Sequence, residues 1–316
     1  MIQHVDHSRQ QLEAIIKGED KRLIVIVGPC STHDTVAALD YAKRLKTLAD
    51  KVNDTLCIVM RVYFEKPRTT VGWKGLINDP KLDGSFAINE GLTTARKLLL
   101  DINQLGIMIA TEFVDTITPQ YLSDLVSWTA IGARTTESQQ HRMLASGLSM
   151  PVGFKNNTAG EIKAAVNAVL AAKHPHNFLG VTAQGRAAIV CTKGNDSCHI
   201  ILRGGTAGPN YDEKHINIAA GLLAKNQLGA RIVVDCSHDN CAKDFTKQAQ
   251  VVDTLCKYLK NKQPPFIGFM LESNLIAGRQ DPQPAAKLVY GQSITDACIG
   301  WQETERLLYK IASCIG

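Results

Sequence analysis

The run Leu23-Ile24-Val25-Ile26-Val27-Gly28-Pro29-Cys30-Ser31 reads as a β-strand that stops in a glycine-proline turn. An uninterrupted branched apolar run bounded by such a turn suits a strand covered on both faces. An open doubly wound sheet would follow its first strand with Gly-x-Gly-x-x-Gly, and Gly28-Pro-Cys-Ser31 is not that signature. Similar runs recur at residues 57–61, 107–111, 129–133, 152–155, 199–203, 231–235 and 267–272. Amphipathic stretches separate them. That alternation predicts a parallel sheet wrapped by helices, and eight strands predict a closed (β/α)8 TIM barrel of the α/β class.

Between the strands, Ile88, Leu92, Ala95, Leu99 and Ile102 recur at helical spacing, so a helix is expected over residues 86–105 with a stop at Gly106. Thr158-Ala-Gly-Glu161 reads as a capping box. Thr118-Pro119 reads as an N-cap with proline in the first turn. Two segments break the rhythm. Residues 177–182 and 187–191, joined across Gln184-Gly185, predict an extra β-hairpin before the sixth barrel strand. Residues 63–85 and 273–294 are too long for plain connections, and loops of that length are usually functional. With no linker or repeat, the expected organisation is one barrel domain over residues 1–316. It carries an N-terminal extension at 1–22, holding a short helix around Leu12, Ile15 and Ile16, and the inserted hairpin at 177–191.

The composition fits a globular chain. Of 316 residues, 45% are hydrophobic and 21% charged, which suits a large buried core. The net charge of +5 comes from no Lys/Arg run, so neither nucleic acid nor a membrane surface is an expected partner. No signal peptide and no apolar run near 20 residues is visible. Nine irregularly spaced cysteines suit reduced core residues in a cytoplasmic protein.

Reactive groups of a barrel sit at the C-terminal ends of its strands. There stand Cys30; Arg61, followed by Lys66 and Arg68; Glu112; Arg134; Lys155; Arg203; Asp235 and His238; and Glu272, with Asp296 on the last long loop. Unpaired cations from five strands would repel one another, so their convergence predicts phosphate or carboxylate ligands. Cys30, His238, Glu272 and Asp296 come from strands that neighbour one another in a closed barrel. They mix soft and hard donors, as a divalent Mn, Fe, Co or Zn site does.

Longer motifs carry a resemblance. Gly28-Pro-Cys-Ser31, Met60-Arg-Val-Tyr-Phe-Glu-Lys-Pro-Arg-Thr-Thr-Val-Gly-Trp-Lys-Gly75, Gly132-Ala-Arg-Thr-Thr-Glu-Ser138, Pro151-Val-Gly-Phe-Lys155, Ile201-Leu-Arg-Gly-Gly205, Ser237-His238, Leu271-Glu-Ser273 and Ser293-Ile-Thr-Asp-Ala-Cys-Ile-Gly-Trp301 are similar to signatures of the type I 3-deoxy-D-arabino-heptulosonate-7-phosphate (DAHP) synthases. These are also called phospho-2-dehydro-3-deoxyheptonate aldolases. The resemblance spans the chain from about residue 20 onward. It implies condensation of phosphoenolpyruvate with erythrose 4-phosphate, the first step of the shikimate pathway, in a homodimer or homotetramer.

It also implies roles. Arg61, Lys66, Arg134, Lys155 and Arg203 would hold phosphoenolpyruvate; Arg68 and Thr69 would hold the aldose phosphate; Cys30, His238, Glu272 and Asp296 would hold the metal. Lys66, Glu112, Lys155 and His238 would be catalytic, with Glu112 beside Lys155 positioning a water. The alternatives are the related synthase that uses arabinose 5-phosphate, which typically carries Lys-Ala-Asn-Arg-Ser where Lys66-Pro-Arg-Thr69 stands here, and a catalytically silent sugar-phosphate-binding protein. Relatives under feedback control usually carry a longer arm before the first strand than the roughly 22 residues here. They often have Ser at Gly180 and Lys-Trp at Ala183-Gln184, so weak or absent inhibition by aromatic amino acids is expected.

Overall fold

All six residues of the first strand, β1 (Leu23–Gly28), are buried. The strand pairs in parallel on both sides, with β2 (Leu56–Arg61) and with the last strand (Gly268–Glu272), so Ile24 lies opposite both Cys57 and Gly268. That double pairing closes the sheet and rules out the open alternative. The computed structural model describes residues 2–182, 184–261, 265–283 and 285–315. The remaining strands are β3 (Met108–Glu112), β4 (Trp128–Ile131), β5 (Val152–Lys155), β6 (Asn177–Val181), β7 (Ala187–Cys191), β8 (His199–Leu202), β9 (Ile232–Asp235) and β10 (Gly268–Glu272). The barrel order is β1-β10-β9-β8-β5-β4-β3-β2, and β6 and β7 form the separate antiparallel hairpin.

The helices are α1 (Ile2–Lys17), α2 (Thr35–Val52), α3 (Ile88–Gln104), α4 (Pro119–Leu122), α5 (Gln139–Gly147), α6 (Ile162–Lys173), α7 (Glu213–Lys225), α8 (Gln248–Asn261) and α9 (Trp301–Ala312). The helix expected from residue 86 starts at Ile88, because Phe86 adopts a left-handed backbone (φ 51°) that a helix cannot include. The expected capping box is also absent. Helix α6 opens at Ile162 behind Glu161, whose backbone N–H donates to Asn157 Oδ1. The carbonyls of Thr158 and Ala159 instead accept from Thr206 and Ala207, so that turn is committed to the loop after β8. Thr118 and Pro119 do open α4, but the Thr118 hydroxyl donates to Glu65 and caps nothing.

One apolar cluster fills the barrel, including Ile24, Ile26, Val59, Ala110, Trp128, Ile201, Val233 and Met270. Leu12, Ile15 and Ile16 of α1 belong to it, so this helix plugs the end of the barrel opposite the charged strand ends. Arg9 holds it there through the carbonyls of Ser123 and Val126. Among the described residues no helix is long and apolar enough to cross a membrane.

Candidate active site

With the apolar residues turned into the barrel and against the helices, the charged residues at or just beyond the strand ends gather at one rim. Cys30, Glu272 and Asp296 each offer one ligand atom, and these atoms lie within 4.8 Å of one another. Cys30 follows β1, Glu272 ends the adjacent β10, and Asp296 comes from the long loop beyond it. The Cys30 thiol lies 3.6 Å from Asp296 Oδ2. Burial and the Glu272 charge push this thiol up to about 12, against the opposing pull of Lys66. Burial also pushes the Asp296 carboxyl up, but the charges of Lys66 and His238 outweigh it and hold the group below its usual range.

His238 completes the set at a slightly longer reach, with Nε2 at 3.7 Å from Glu272 Oε1. Its backbone is left-handed (φ 56°), a conformation non-glycine residues reserve for special positions. A thiol and two carboxylates within 4.8 Å of one another, with a ring nitrogen beside one of the carboxylates, is a donor set that could hold a divalent transition ion.

The cations do not stand unpaired, as the sequence alone suggested. Arg61 is 0% exposed; it donates to Glu272 Oε1 at 2.9 Å, and its guanidinium lies 4.0 Å over the Tyr63 ring. Lys155 Nζ is 3.1 Å from Asp235 Oδ2, and Arg203 pairs with Asp239. Burying three cations costs too much without such counter-charges. Lys66 reaches the first cluster, with Nζ at 3.1 Å from Cys30 Sγ. Burial pulls its ammonium down, but the neighbouring Cys30 sulfur and the Glu272 carboxylate outweigh it and hold the group above its ordinary range.

Arg68 and Thr69 stand on the loop after β2. Arg68 donates to the Trp73 carbonyl, and Thr69 Oγ1 accepts from Arg134 Nε at 3.1 Å. The structure thus joins Arg134 to the segment expected to hold the other substrate.

Glu112 ends β3 facing Gly132. A Cβ on that glycine would come within 2.2 Å of Glu112 Oε1, so only glycine leaves room for the carboxylate. Among the described residues no ion pair joins Glu112 to Lys155, whose ammonium is turned to Asp235. Asp235 is a residue to which sequence reasoning assigned no role. It is 0% exposed and contacts both Lys155 and His238. Its signal was its place two residues before Ser237-His238 at a strand end.

Glu65 was also passed over. Buried behind Lys66, it accepts from Thr118 Oγ1 and from the backbone N–H groups of Val114 and Asp115, which ties the loop after β2 to the loop after β3. Burial pushes its carboxyl up to about 7.

Fold and rim together define a parallel (β/α)8 barrel protein whose charged strand ends gather beside a metal-type donor cluster. A sequence model described as the DAHP synthetase I family matches residues 4–309, and the chain belongs to that family. It is 57% identical over 311 residues to the Phe-sensitive phospho-2-dehydro-3-deoxyheptonate aldolase of Escherichia coli (strain K12), covering 98% of this chain and 89% of that protein. It is 51% identical over 315 residues to the tyrosine-inhibited aldolase of Schizosaccharomyces pombe, covering 98% and 85%. The solved phospho-2-dehydro-3-deoxyheptonate aldolase of Francisella tularensis SCHU S4 superposes with a TM-score of 0.97 at 49% identity, covering 99% of this chain and 92% of that one.

Proposed function

We infer that the chain catalyses the condensation of phosphoenolpyruvate with erythrose 4-phosphate to DAHP and phosphate, the first step of the shikimate pathway. The observation that carries the mechanism is the contact between the two constellations, Lys66 Nζ lying 3.1 Å from Cys30 Sγ. It puts the anion-binding cations and the metal-type donors in one site.

In this reading Cys30, His238, Glu272 and Asp296 hold a divalent ion, Mn, Fe, Co or Zn. Such an ion, when bound, supplies Lewis acidity toward the aldehyde oxygen. Arg61, Lys66, Arg134, Lys155 and Arg203 hold the phosphate and carboxylate of phosphoenolpyruvate. An arginine has five N–H donors, so Arg61 and Arg203 can keep their protein carboxylates and still meet a substrate oxygen. Arg68 and Thr69 hold the aldose phosphate, and the bond from Arg134 to Thr69 sets the spacing between the two subsites.

Carbon 3 of phosphoenolpyruvate attacks the aldehyde. Glu112, wedged against Gly132, positions the water that traps carbon 2, and phosphate then leaves by C–O cleavage. Lys66, Glu112, Lys155 and His238 are the catalytic set. The reading includes one barrel domain over the whole chain and a cytoplasmic place of action, which free cysteines support.

The test is to incubate metal-reconstituted protein with phosphoenolpyruvate and either erythrose 4-phosphate or arabinose 5-phosphate while following phosphoenolpyruvate loss. Consumption is expected with erythrose 4-phosphate alone and should stop on chelation. Full turnover by rigorously metal-free protein would exclude the metal role.

A further inference from the structure

Asp235 is the only carboxylate among the described residues in ion-pair range of both Lys155 and His238. Its Oδ1 accepts from the Ser237 backbone N–H at 3.0 Å and from Ser237 Oγ at 2.6 Å. Its Oδ2 has no aligned hydrogen bond but lies 3.1 Å from Lys155 Nζ and 2.9 Å from His238 Nδ1. Ser237 Oγ is also 2.7 Å from His238 Nδ1.

These distances call for a proton on Nδ1. The serine hydroxyl is spent on Oδ1, so it can only accept from the ring. Nδ1 therefore carries the proton, which points at Ser237 Oγ with the Asp235 charge alongside. A bare Nδ1 lone pair would face two oxygens and be repelled. In the neutral ring, the form that binds a metal, a proton on Nδ1 leaves the lone pair on Nε2, the atom on the side where Glu272 stands.

We propose that Asp235 is a positioning residue shared by both halves of the site, fixing the tautomer and direction of His238 for the metal while aiming the Lys155 ammonium at the substrate anion. Ser237 contacts His238 and Asp235 but makes no hydrogen bond to Lys155 among the described residues. The proposal rests on the metal and phosphoenolpyruvate roles inferred above.

Three proteins distinguish it: wild type, Asp235→Asn and Ser237→Ala, each checked for folding by circular dichroism. Co²⁺ affinity and the visible Co²⁺ spectrum report the metal half, and the KM for phosphoenolpyruvate at saturating Co²⁺ reports the other. Loss of a partner behind a metal-binding histidine typically costs 10–100-fold in metal affinity. Asp235→Asn is therefore expected to weaken Co²⁺ at least tenfold, change its spectrum and raise the KM at least tenfold. Ser237→Ala should weaken Co²⁺ while leaving the KM within about twofold, as it leaves the Lys155 pair intact.

A folded Asp235→Asn protein with either quantity within about twofold of wild type overturns the shared role. If that variant fails to fold, Asp235→Asn/Lys155→Met removes the buried pair together, and a Co²⁺ affinity within twofold of Lys155→Met alone overturns it. A wild-type protein that binds no Co²⁺ would instead remove the metal reading beneath the proposal.

Discussion

The rim has two halves built on different terms. Arg61, Lys155, Asp235 and Glu272 end barrel strands, are at most 3% exposed, and neutralise one another in pairs. Thr69, Arg134 and Asp296 stand on loops and are exposed, with Arg68 half-buried beside them. Strand ends fix a side chain more closely than loops do, so the first half is preorganised but cannot lose a charge without stranding its partner. The second half is solvated, and losing one of its groups should cost only the contact that group makes with a ligand.

Two proposed metal ligands, one from each half, provide the strongest test. Glu272→Ala leaves the Arg61 guanidinium buried without its carboxylate, which is expected to cost about 3–5 kcal/mol of stability as well as metal binding. Asp296→Ala should abolish metal binding comparably but cost less than about 1 kcal/mol, because Asp296 is an exposed residue whose attraction to Lys66 and His238 is screened by water. Denaturant unfolding of the two metal-free variants checks this. Equal destabilisation would erase the distinction between the halves.

Glu65 braces the loop that carries Arg68 and Thr69 against the loop after β3 and adds a pH dependence. Its folded pKa of about 7 lies above the ordinary 4.5, so the folded protein keeps a proton that the unfolded chain releases. Stability from this group is fully present below about pH 4.5, falls as pH rises toward 7, and levels off above it. At about 1.4 kcal/mol per pKa unit the full span is roughly 3 kcal/mol. Glu65→Gln, which cannot ionise, should flatten that part of the profile. Parallel slopes for wild type and variant between pH 5 and 7 would mean that Glu65 stays ionised and that the loop latch is an ordinary charged one.

Substrate kinetics separate the halves on a smaller scale. Lys155→Ala and Arg203→Ala should raise the KM for phosphoenolpyruvate, and Arg68→Ala mainly that for erythrose 4-phosphate. Each lost charge-assisted bond is worth roughly 1.5–3 kcal/mol, or about ten- to a hundredfold. The strand-borne pair should also lower the melting temperature, while Arg68→Ala should not. If Arg68→Ala weakened phosphoenolpyruvate alone, the two phosphate subsites would have to be exchanged.

The eight strands were legible because each is a short, mostly apolar run, and a parallel barrel buries both faces of every strand. Cys30, Glu272 and Asp296 were legible for the same reason, since closure makes the first and last strands neighbours. The counter-charges were not. Asp235 meets Lys155 across 80 positions of sequence, through strands β9 and β5 that do not even pair with each other. The start of α6 was misread because a Thr-x-x-Glu pattern does not reveal that its carbonyls are claimed by residues 206 and 207. Glu65 escaped notice because two of its donors are backbone groups, which carry no residue signature, and the third, the Thr118 hydroxyl, lies 53 positions away.

The hairpin of β6 and β7 belongs to neither half, and the smallest effect is expected there. It pairs only with itself, and Leu179 and Ile189 face outward at 87% and 73% exposure. Relatives described as Phe-sensitive or tyrosine-inhibited are 57% and 51% identical to this chain, so feedback control is the background against which the hairpin must be judged. Ala183, one of its altered positions, lies outside the described residues. Gly180 can be tested. A Cβ there would sit 2.8 Å from Val190 Cγ2, so a serine requires this valine methyl to turn away. The methyl ends a half-buried side chain, and the strand gains a residue better suited to it than glycine. Gly180→Ser should therefore change stability by less than about 1 kcal/mol. Inhibition requires an effector to bind two states of the enzyme unequally, and one hydroxyl on an otherwise unchanged hairpin supplies little difference. Steady-state rates of the wild type are expected to respond weakly or not at all to millimolar phenylalanine, tyrosine or tryptophan, and Gly180→Ser should not change this. Strong inhibition of the wild type well below millimolar would show that the hairpin recognises an effector without serine at position 180. Inhibition gained by the variant alone would make that single hydroxyl the determinant of sensitivity.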